Sequence, residues 1–390
     1  MDECIVTGRR GNPPPAVFPA PSPEPNAPMT QTTAAAEGNV AEDGTGDADD
    51  AWAADGVWAD DGDWANEPGD APKRFFGRPV KDYERGQVPG GQRTLGGEVD
   101  DAPAGRLSGV AVRVGVGWDD EVSFADKLAD LLDDPAAAGI EALVIGPWDG
   151  GMEGEGPDSV IEALVASRDR LPDLRALFFG DYEDEDAQIS WIVQGDLSPL
   201  LAAFPKLEAL RVRGAQGLSL GRPSHDALRS LTIETGGMPA SLLREVAAAR
   251  LPKLERLELW FGDQSYGNDL TDADVAALLD APVVAGLKHL GLRDDDRADA
   301  TAKLLASRPK PGKITTLDLS LGTLGDEGAA ALADCGWVGK LDKLDIHHHY
   351  ATDAAVGRLR AAVKELDAGQ QETPDDWGDG ESHRYVAVGE

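Results

Sequence analysis

The stretch LERLEL, residues 254–259, has apolar side chains at its first, fourth and sixth positions. Seven other segments have the same spacing, and the fourth residue is leucine in each of them. They are IEALVI (140–145), LRALFF (174–179), LEALRV (207–212), LRSLTI (228–233), LKHLGL (287–292), ITTLDL (314–319) and LDKLDI (341–346). Successive fourth-position leucines lie 21 to 34 residues apart, which indicates one structural unit repeated along the chain.

The apolar spacing predicts the structure of each unit. Alternation at positions four to six is typical of a strand with one buried face. Most of the intervening sequence has helical spacing, at 158–169, 238–249, 271–280, 298–307, 325–334 and 352–366. Repetition of strand and helix predicts an α/β leucine-rich-repeat solenoid, shaped as a horseshoe with a parallel sheet on its concave face and helices on its convex face.

The ends of the repeat array are less regular. Residues 73–135 are expected to form an N-terminal capping unit, with a strand within 109–117 and a helix at 124–132. The repeats occupy 136–366, and 367–390 form a C-terminal cap and tail. Within it HRYVAVGE (383–390) is interpreted as a short strand or a packed tail over the last repeat, because the end of a solenoid exposes a sheet edge.

Residues 1–72 have the composition of a disordered acidic tail, with 15 acidic residues against two basic ones. Trp52, Trp58 and Trp64 recur every six residues within it. They are either aromatic anchors for a basic groove, with an intramolecular contact as one possibility, or part of a spacer without a ligand. Met29 is an alternative start of the chain.

The net charge of −35 argues against partners that are themselves anionic. Nucleic acids and anionic membranes both need clustered Lys and Arg for binding, so neither is expected, and a cationic partner is favoured. The two cysteines are too few for a secreted disulfide framework. No signal-like or bilayer-spanning apolar run is present, and the expected location is cytoplasmic.

Side chains at the third, fifth and seventh positions of each template are expected on the concave face, because strand side chains alternate. We predict that the charged and aromatic members of this set contact a protein or peptide partner. They are Arg211, Arg213, Glu234, Arg256, Glu258, Trp260, Arg293, Asp318, Asp345 and His347. An exposed Trp260 among arginines would be a binding hot spot. The alternative is that the charges pair with one another and the arginines cover Trp260.

Enzymatic activity is not expected, because the common nucleophile, zinc-protease and phosphate-binding motifs are absent. The alternative function uses Asp318, Asp345 and His347 to bind a metal or small ligand, although no metal or cofactor is predicted. His289 is expected to lie too far from His347 to join them. Of the three consecutive histidines, His347 is predicted to face a ligand and His349 to bond the backbone of the turn.

Several segments resemble a group of bacterial leucine-rich-repeat proteins without an assigned activity. The resemblance covers about residues 74–390 and includes RFFGRPVKDY (74–83), LERLELWFG (254–262), LDLSLGTLGDEGAAAL (317–332) and LDIHHHY (344–350). The third of these is also similar to ribonuclease-inhibitor-type repeats. The resemblance implies a horseshoe fold and a binding role, and it supplies no catalytic residues.

Overall fold

The computed structural model describes residues 72–83, 107–117, 120–148, 156–183, 186–378 and 382–389, which all belong to one unit, Ala54–Glu390. The predicted acidic tail, with Trp52, Trp58, Trp64 and Met29, lies outside the described residues except for Pro72.

A single sheet of twelve strands follows the chain order from β1 to β12. The strands are β1 (Arg74–Phe75), β2 (Arg78–Asp82), β3 (Ala111–Val114), β4 (Ala142–Ile145), β5 (Ala176–Phe179), β6 (Ala209–Arg213), β7 (Ser230–Glu234), β8 (Arg256–Gly262), β9 (His289–Asp295), β10 (Thr316–Asp318), β11 (Lys343–Asp345) and β12 (Leu366–Asp367). Strands β1 and β2 pair in antiparallel fashion, and every later pairing is parallel.

The fourth-position leucines form one uninterrupted ladder through this sheet. From Leu143 on β4 to Leu344 on β11, each leucine is directly opposite the leucine of the next strand. All eight are nearly or completely buried in the main core. The predicted leucine-rich-repeat solenoid and the alignment of its units are therefore confirmed.

In the described part of the chain, eight α-helices return the chain between strands. They are α1 (Phe124–Leu132), α2 (Asp158–Ala166), α3 (Ser198–Ala203), α4 (Ala240–Ala247), α5 (Asp272–Leu279), α6 (Ala298–Ala306), α7 (Asp326–Asp334) and α8 (Asp353–Ala362). Seven of the eight match predicted helical segments, and Thr271 with Asp274 forms a capping box at the start of α5. Within the described ranges, each helix is too short or too polar to cross a bilayer.

The connection between β6 and β7 differs from this pattern. It contains Gly217, Gly221 and Pro223 and forms no helix, whereas the preceding connection contains the short α3, which its sequence did not reveal. Isolated parallel bridges, Val193 to Gln216 and Asp196 to Ser219, link these two connections instead. The interval of 21 residues between Leu210 and Leu231 is too short for two turns and a full helix.

The N-terminal hairpin covers part of the sheet face that lies away from the helices. Phe75 and Phe76, at the end of β1 and in its turn, pack on Val144 and Phe178, with the rings of Phe75 and Phe178 5.9 Å apart. This second apolar cluster also includes the third-position alanines of β4, β5 and β6. The small and apolar residues on this part of the sheet face are therefore buried under the chain itself.

Two side chains close the turns after their strands in the way that asparagine does in many leucine-rich repeats. Asp295 accepts hydrogen bonds from the Arg297 N–H and the Thr301 hydroxyl. The Nδ1 of His349 accepts one from the Ala351 N–H at 3.1 Å. The predicted role of His349 in the backbone of its turn is confirmed by this contact.

The leucine ladder provides a direct test of the core. Leu257→Ala should lower the free energy of unfolding by about 2–5 kcal/mol, because it leaves a cavity at a completely buried position in the centre of the ladder. Leu304→Ala, at a half-buried position on α6, is the matched control and should cost clearly less. Urea unfolding followed by circular dichroism measures both values, and equal losses would contradict the assigned register.

Candidate binding face

We call the side of the sheet opposite the helices the open face. It carries the side chains at the third, fifth and seventh template positions, and two charged clusters lie at its centre. In the Glu234 cluster, the carboxylate of Glu234 accepts hydrogen bonds from Arg211 Nε at 2.6 Å and Arg213 Nε at 3.0 Å. Arg213 also donates to the Tyr182 carbonyl at 2.7 Å. All these groups are buried or nearly so.

The Glu258 cluster comprises Arg256, Glu258, Trp260 and Arg293. One oxygen of Glu258 accepts from Arg256 at 2.6 Å, and the other accepts from Arg293 at 2.8 Å and from the Trp260 indole N–H at 3.2 Å. Arg293 also donates to the Ser320 hydroxyl at 2.8 Å. The carboxylate of Glu258 is completely buried and thus fully engaged within the chain.

The ion pairs in these clusters lower the pKa values of the buried carboxylates by more than burial raises them. Burial alone would raise the pKa of Glu258, but Arg293 and Arg256 hold it well below its ordinary value. The pKa of Glu234 is likewise lowered by Arg211 and Arg213 against the effect of burial. Both carboxylates are therefore ionised at neutral pH, and the central open face is a set of satisfied buried ion pairs.

The expectation of an exposed Trp260 is wrong. Its side chain is on the open face as predicted, but only 6% of the residue is exposed. The Arg293 guanidinium lies 5.2 Å from the centre of its ring, and Ile189, Leu321 and Val388 pack around it. The covering elements come from the β5–β6 connection and the C-terminal tail, which are remote from Trp260 in sequence.

A third, more accessible cluster lies at the C-terminal end of the open face. In this C-terminal cluster, Asp345 contacts His347 Nδ1 at 2.7 Å and Lys343 Nζ at 3.1 Å. Asp367, on the last strand, lies 4.0 Å from Lys343. Burial would raise the pKa of Asp345, but His347 and Lys343 lower it to about 2. His347 thus lies beside Asp345 on the open face, as predicted.

The structure does not bring Asp318, Asp345 and His347 together as one ligand set. Asp318 turns toward Arg293 at 3.4 Å and groups with Glu258 and His289, whereas Asp345 and His347 group with Asp367. His289 thus groups with Asp318 on the neighbouring strand and not with His347. Arg256 and Arg293 in the first group, and Lys343 in the second, already neutralise the carboxylates that a cation would need.

Several other aromatic and histidine side chains lie apart from the charged clusters. Trp191 is 63% exposed. His225 lies in a loop, yet it is buried and its Nδ1 accepts from the Leu228 N–H at 3.0 Å. The ring of Trp377 stacks on that of His383, in the C-terminal tail, at 4.6 Å.

Three polar residues of the open face and its edge were not predicted from the sequence. Asp181 is completely buried and accepts from Arg113 Nε at 2.7 Å, so it joins the Glu234 cluster to β3. Asp294 is buried at the end of β9, and Asp367 extends the C-terminal cluster. The sequence does contain a signal for Asp367, because the apolar spacing of the repeats continues into VKELDAG (363–369). The strand that carries Asp367, β12, has only two residues.

Removal of the central carboxylate should destabilise the protein strongly. Glu258→Ala removes one of the two carboxylate partners of buried Arg293. We therefore expect the free energy of unfolding to fall by about 3–5 kcal/mol. The matched control is Asp334→Ala, which breaks an exposed pair with Arg358 and should cost at most about 1 kcal/mol. Urea unfolding measures both, and a Glu258→Ala effect as small as that of the control would refute the network.

The same carboxylates predict a dependence on pH. Because the pKa of Glu258 is lower in the folded chain than the value of about 4.3 in an unfolded one, its ion pairs stabilise the fold above that pH and are lost as the pH falls through the folded value. The stability difference between the wild type and Glu258→Gln should therefore narrow from pH 7 to pH 3. A difference that stays constant over this range would contradict the assignment.

No protein-family model matches this chain, and no curated protein matches it significantly. Among solved structures, a protein of Bacteroides fragilis is similar with a TM-score of 0.63 and 29% identity, over 67% of this chain and 75% of that one. An internalin of Listeria monocytogenes matches over 68% of this chain and 63% of its own, with 17% identity and a TM-score of 0.34. The Bacteroides protein thus shares the overall fold of the repeat unit array described above.

Proposed function

We propose that this protein is a non-catalytic scaffold that binds a protein or peptide partner at the C-terminal end of its open face. The observation that supports this most is the unequal exposure of the clusters. Lys343, His347 and Asp367 keep 37%, 22% and 48% of their side chains exposed, whereas the central carboxylates are completely buried. Solenoids commonly use the face that carries their strands as an extended binding surface.

This proposal divides the predicted contact residues into two groups. Asp345 and His347 stay contact residues. Arg211, Arg213, Glu234, Arg256, Glu258, Arg293 and Asp318 form instead the rigid floor on which the contact surface rests, since their charges are satisfied within the chain. Trp260 belongs to the floor through its indole N–H and its contact with Arg293.

The charge of the chain sets the chemistry of the partner. A net charge of −35 favours a basic protein or peptide and disfavours nucleic acid and anionic membranes. We infer a cytoplasmic location from the composition. We also infer ribonuclease-inhibitor-like repeats, because helices fill intervals of 26 to 27 residues between successive fourth-position leucines. An intramolecular contact of the Trp52, Trp58 and Trp64 segment stays a proposal, and the pairing of Arg211, Arg213 and Arg293 within the chain weakens it.

The metal or small-ligand alternative has less support. Each candidate group contains a cationic side chain already bonded to its carboxylate, Arg293 at Glu258 and Lys343 at Asp345. A cation would have to displace these charges, which raises the free energy of binding. The scaffold proposal needs no such displacement.

Reversal of one exposed charge tests the scaffold. Asp367→Lys on β12 should lower recovery of a basic partner several-fold in affinity capture with the full chain as bait, because it places a positive charge on the contact surface. Asp334→Lys makes the same change at the end of α7 and should leave recovery unchanged. Quantitative mass spectrometry compares the two, and equal recovery from both would contradict binding at the open face.

A further inference from the structure

The C-terminal tail, residues 382–389, crosses the carboxyl ends of four successive strands. The Tyr350 hydroxyl after β11 donates to the Tyr385 carbonyl at 3.0 Å. The Ala387 N–H donates to the Leu321 carbonyl after β10 at 2.8 Å, and the Val388 N–H donates to Asp294 Oδ1 on β9 at 3.0 Å. The tail was predicted to cover the last repeat, but it runs back toward the centre of the array.

Unusual backbone conformations line its path. Asp294, Leu321 and His348 occupy the position directly after the seventh template residue in three consecutive repeats, and all three have left-handed φ angles of 54°, 66° and 55°. Such a conformation is unfavourable for a non-glycine residue and is often found at functional sites. It interrupts the alternation of the strand just where Asp294 and Leu321 meet the tail.

Among the described residues of the tail, one side chain is buried. Val388 packs with Ile189, Trp260 and Leu321 and is 8% exposed, whereas all other described tail residues are half-buried or exposed. The floor of this pocket does not depend on the tail, because Glu258 and Arg293 already hold Trp260 in place.

Two further contacts define what a bound segment must look like. Arg384 donates to Asp299 at 3.1 Å and lines a depression that also contains Asp296. At the other end, a Cβ added to Gly389 would lie 3.2 Å from the ring of Tyr266, closer than an ordinary van der Waals contact. The groove thus accepts a basic residue, then an aliphatic residue four positions later, then preferentially a small residue.

We propose that this groove, formed by Ile189, Trp260, Asp294 and Leu321, binds an extended segment of a partner protein, and that the tail occupies it in the free protein. The segment donates backbone N–H groups to Leu321 and Asp294 and inserts an aliphatic side chain beside Trp260. A basic residue four positions earlier meets Asp299, in agreement with the acidic character of the chain. This inference rests on the proposed scaffold function and names the class of segment that it binds.

The experiment uses the full chain and a fluorescently labelled synthetic peptide, SHRYVAVG, which corresponds to residues 382–389. Val388→Asp in the protein should release the tail, since a carboxylate is costly in the apolar pocket. This variant should bind the peptide at least tenfold more tightly than the wild type, whose own tail competes at a high effective concentration. Fluorescence anisotropy measures both affinities.

Two peptide controls give the specificity of the groove. The peptide with Val388→Asp should not bind, and the peptide with Arg384→Ala should bind several-fold more weakly, because it loses the contact with Asp299. Equal binding of all three peptides would overturn the assignment of the pocket. If the wild type and the variant bind the SHRYVAVG peptide with equal affinity, or neither binds it, the groove does not exchange its occupant and the proposal is wrong.

Hydrogen exchange of the wild type keeps the test valid even if Val388→Asp does not fold. The Ala387 and Val388 amides should exchange at least a hundredfold faster than the amide of Leu257 in the core, because the tail can open while the sheet stays intact. Exchange of both sites at the same rate would make the tail an integral part of the fold and would overturn the proposal.

The outcomes separate this inference from the scaffold proposal. One outcome is that a partner is captured by the wild type but not by Asp367→Lys, and that neither Val388→Asp nor added peptide changes its capture. In that case the scaffold proposal stands and the groove proposal fails. If Val388→Asp increases capture and the peptide abolishes it, the groove proposal is supported. A wild-type dimer that becomes monomeric with Val388→Asp would identify the occupant as the tail of a second copy and would refute a partner segment.

Discussion

The register of the leucine ladder is the constraint on which the rest of the structure depends. With Leu143 to Leu344 aligned across eight strands, every fifth and seventh template position must face away from the helices. A slip of one residue in any strand would exchange its buried and outward side chains. The ladder thereby brings Arg213 opposite Glu234 and Trp260 opposite Arg293, although these residues are 21 and 33 positions apart in the chain.

Burial of charge on the open face follows from the way these strands are stacked. Side chains on adjacent strands lie about 5 Å apart, so the long arms of arginine cover the carboxylates between them. Glu234 and Glu258 are each held by two guanidinium groups, which supply enough hydrogen bonds to offset desolvation. The same contacts fix the indole of Trp260, so the electrostatic network also shapes the apolar pocket beside it.

Local sequence patterns predicted the repeats, seven helices, the position of His347 beside Asp345 and the turn contact of His349, because each depends on residues within one unit and its phase. The burial of Trp260 was not predictable in this way, because Ile189 and Val388 reach it from 71 and 128 residues away. The burial of Phe178 under the N-terminal hairpin was unpredictable for the same reason, because the hairpin is remote from Phe178 in sequence. The error over Asp318 concerns side-chain direction: its backbone is beside Asp345, but its carboxylate turns to Arg293 on the other neighbour.

The return of the tail across the array was also not predictable, because HRYVAVGE has only a weak strand pattern. Its apolar content is low, and Val388 is the one described tail residue that is buried. Under the groove proposal, a segment with one buried side chain stays bound mainly because it is tethered to its site. Tethering would then distinguish this tail from a packed strand.

Tethering sets a minimum affinity that any competing segment must exceed in order to displace the tail. A short flexible link gives an effective concentration on the order of 1 mM, so a tail with an intrinsic dissociation constant of about 10 μM would fill the groove about 99% of the time. A free segment of equal affinity would then bind about a hundredfold more weakly than to an empty groove. A partner overcomes this competition only with additional contacts. The exposed C-terminal cluster, on the strands that the tail crosses first, is where the structure offers such contacts.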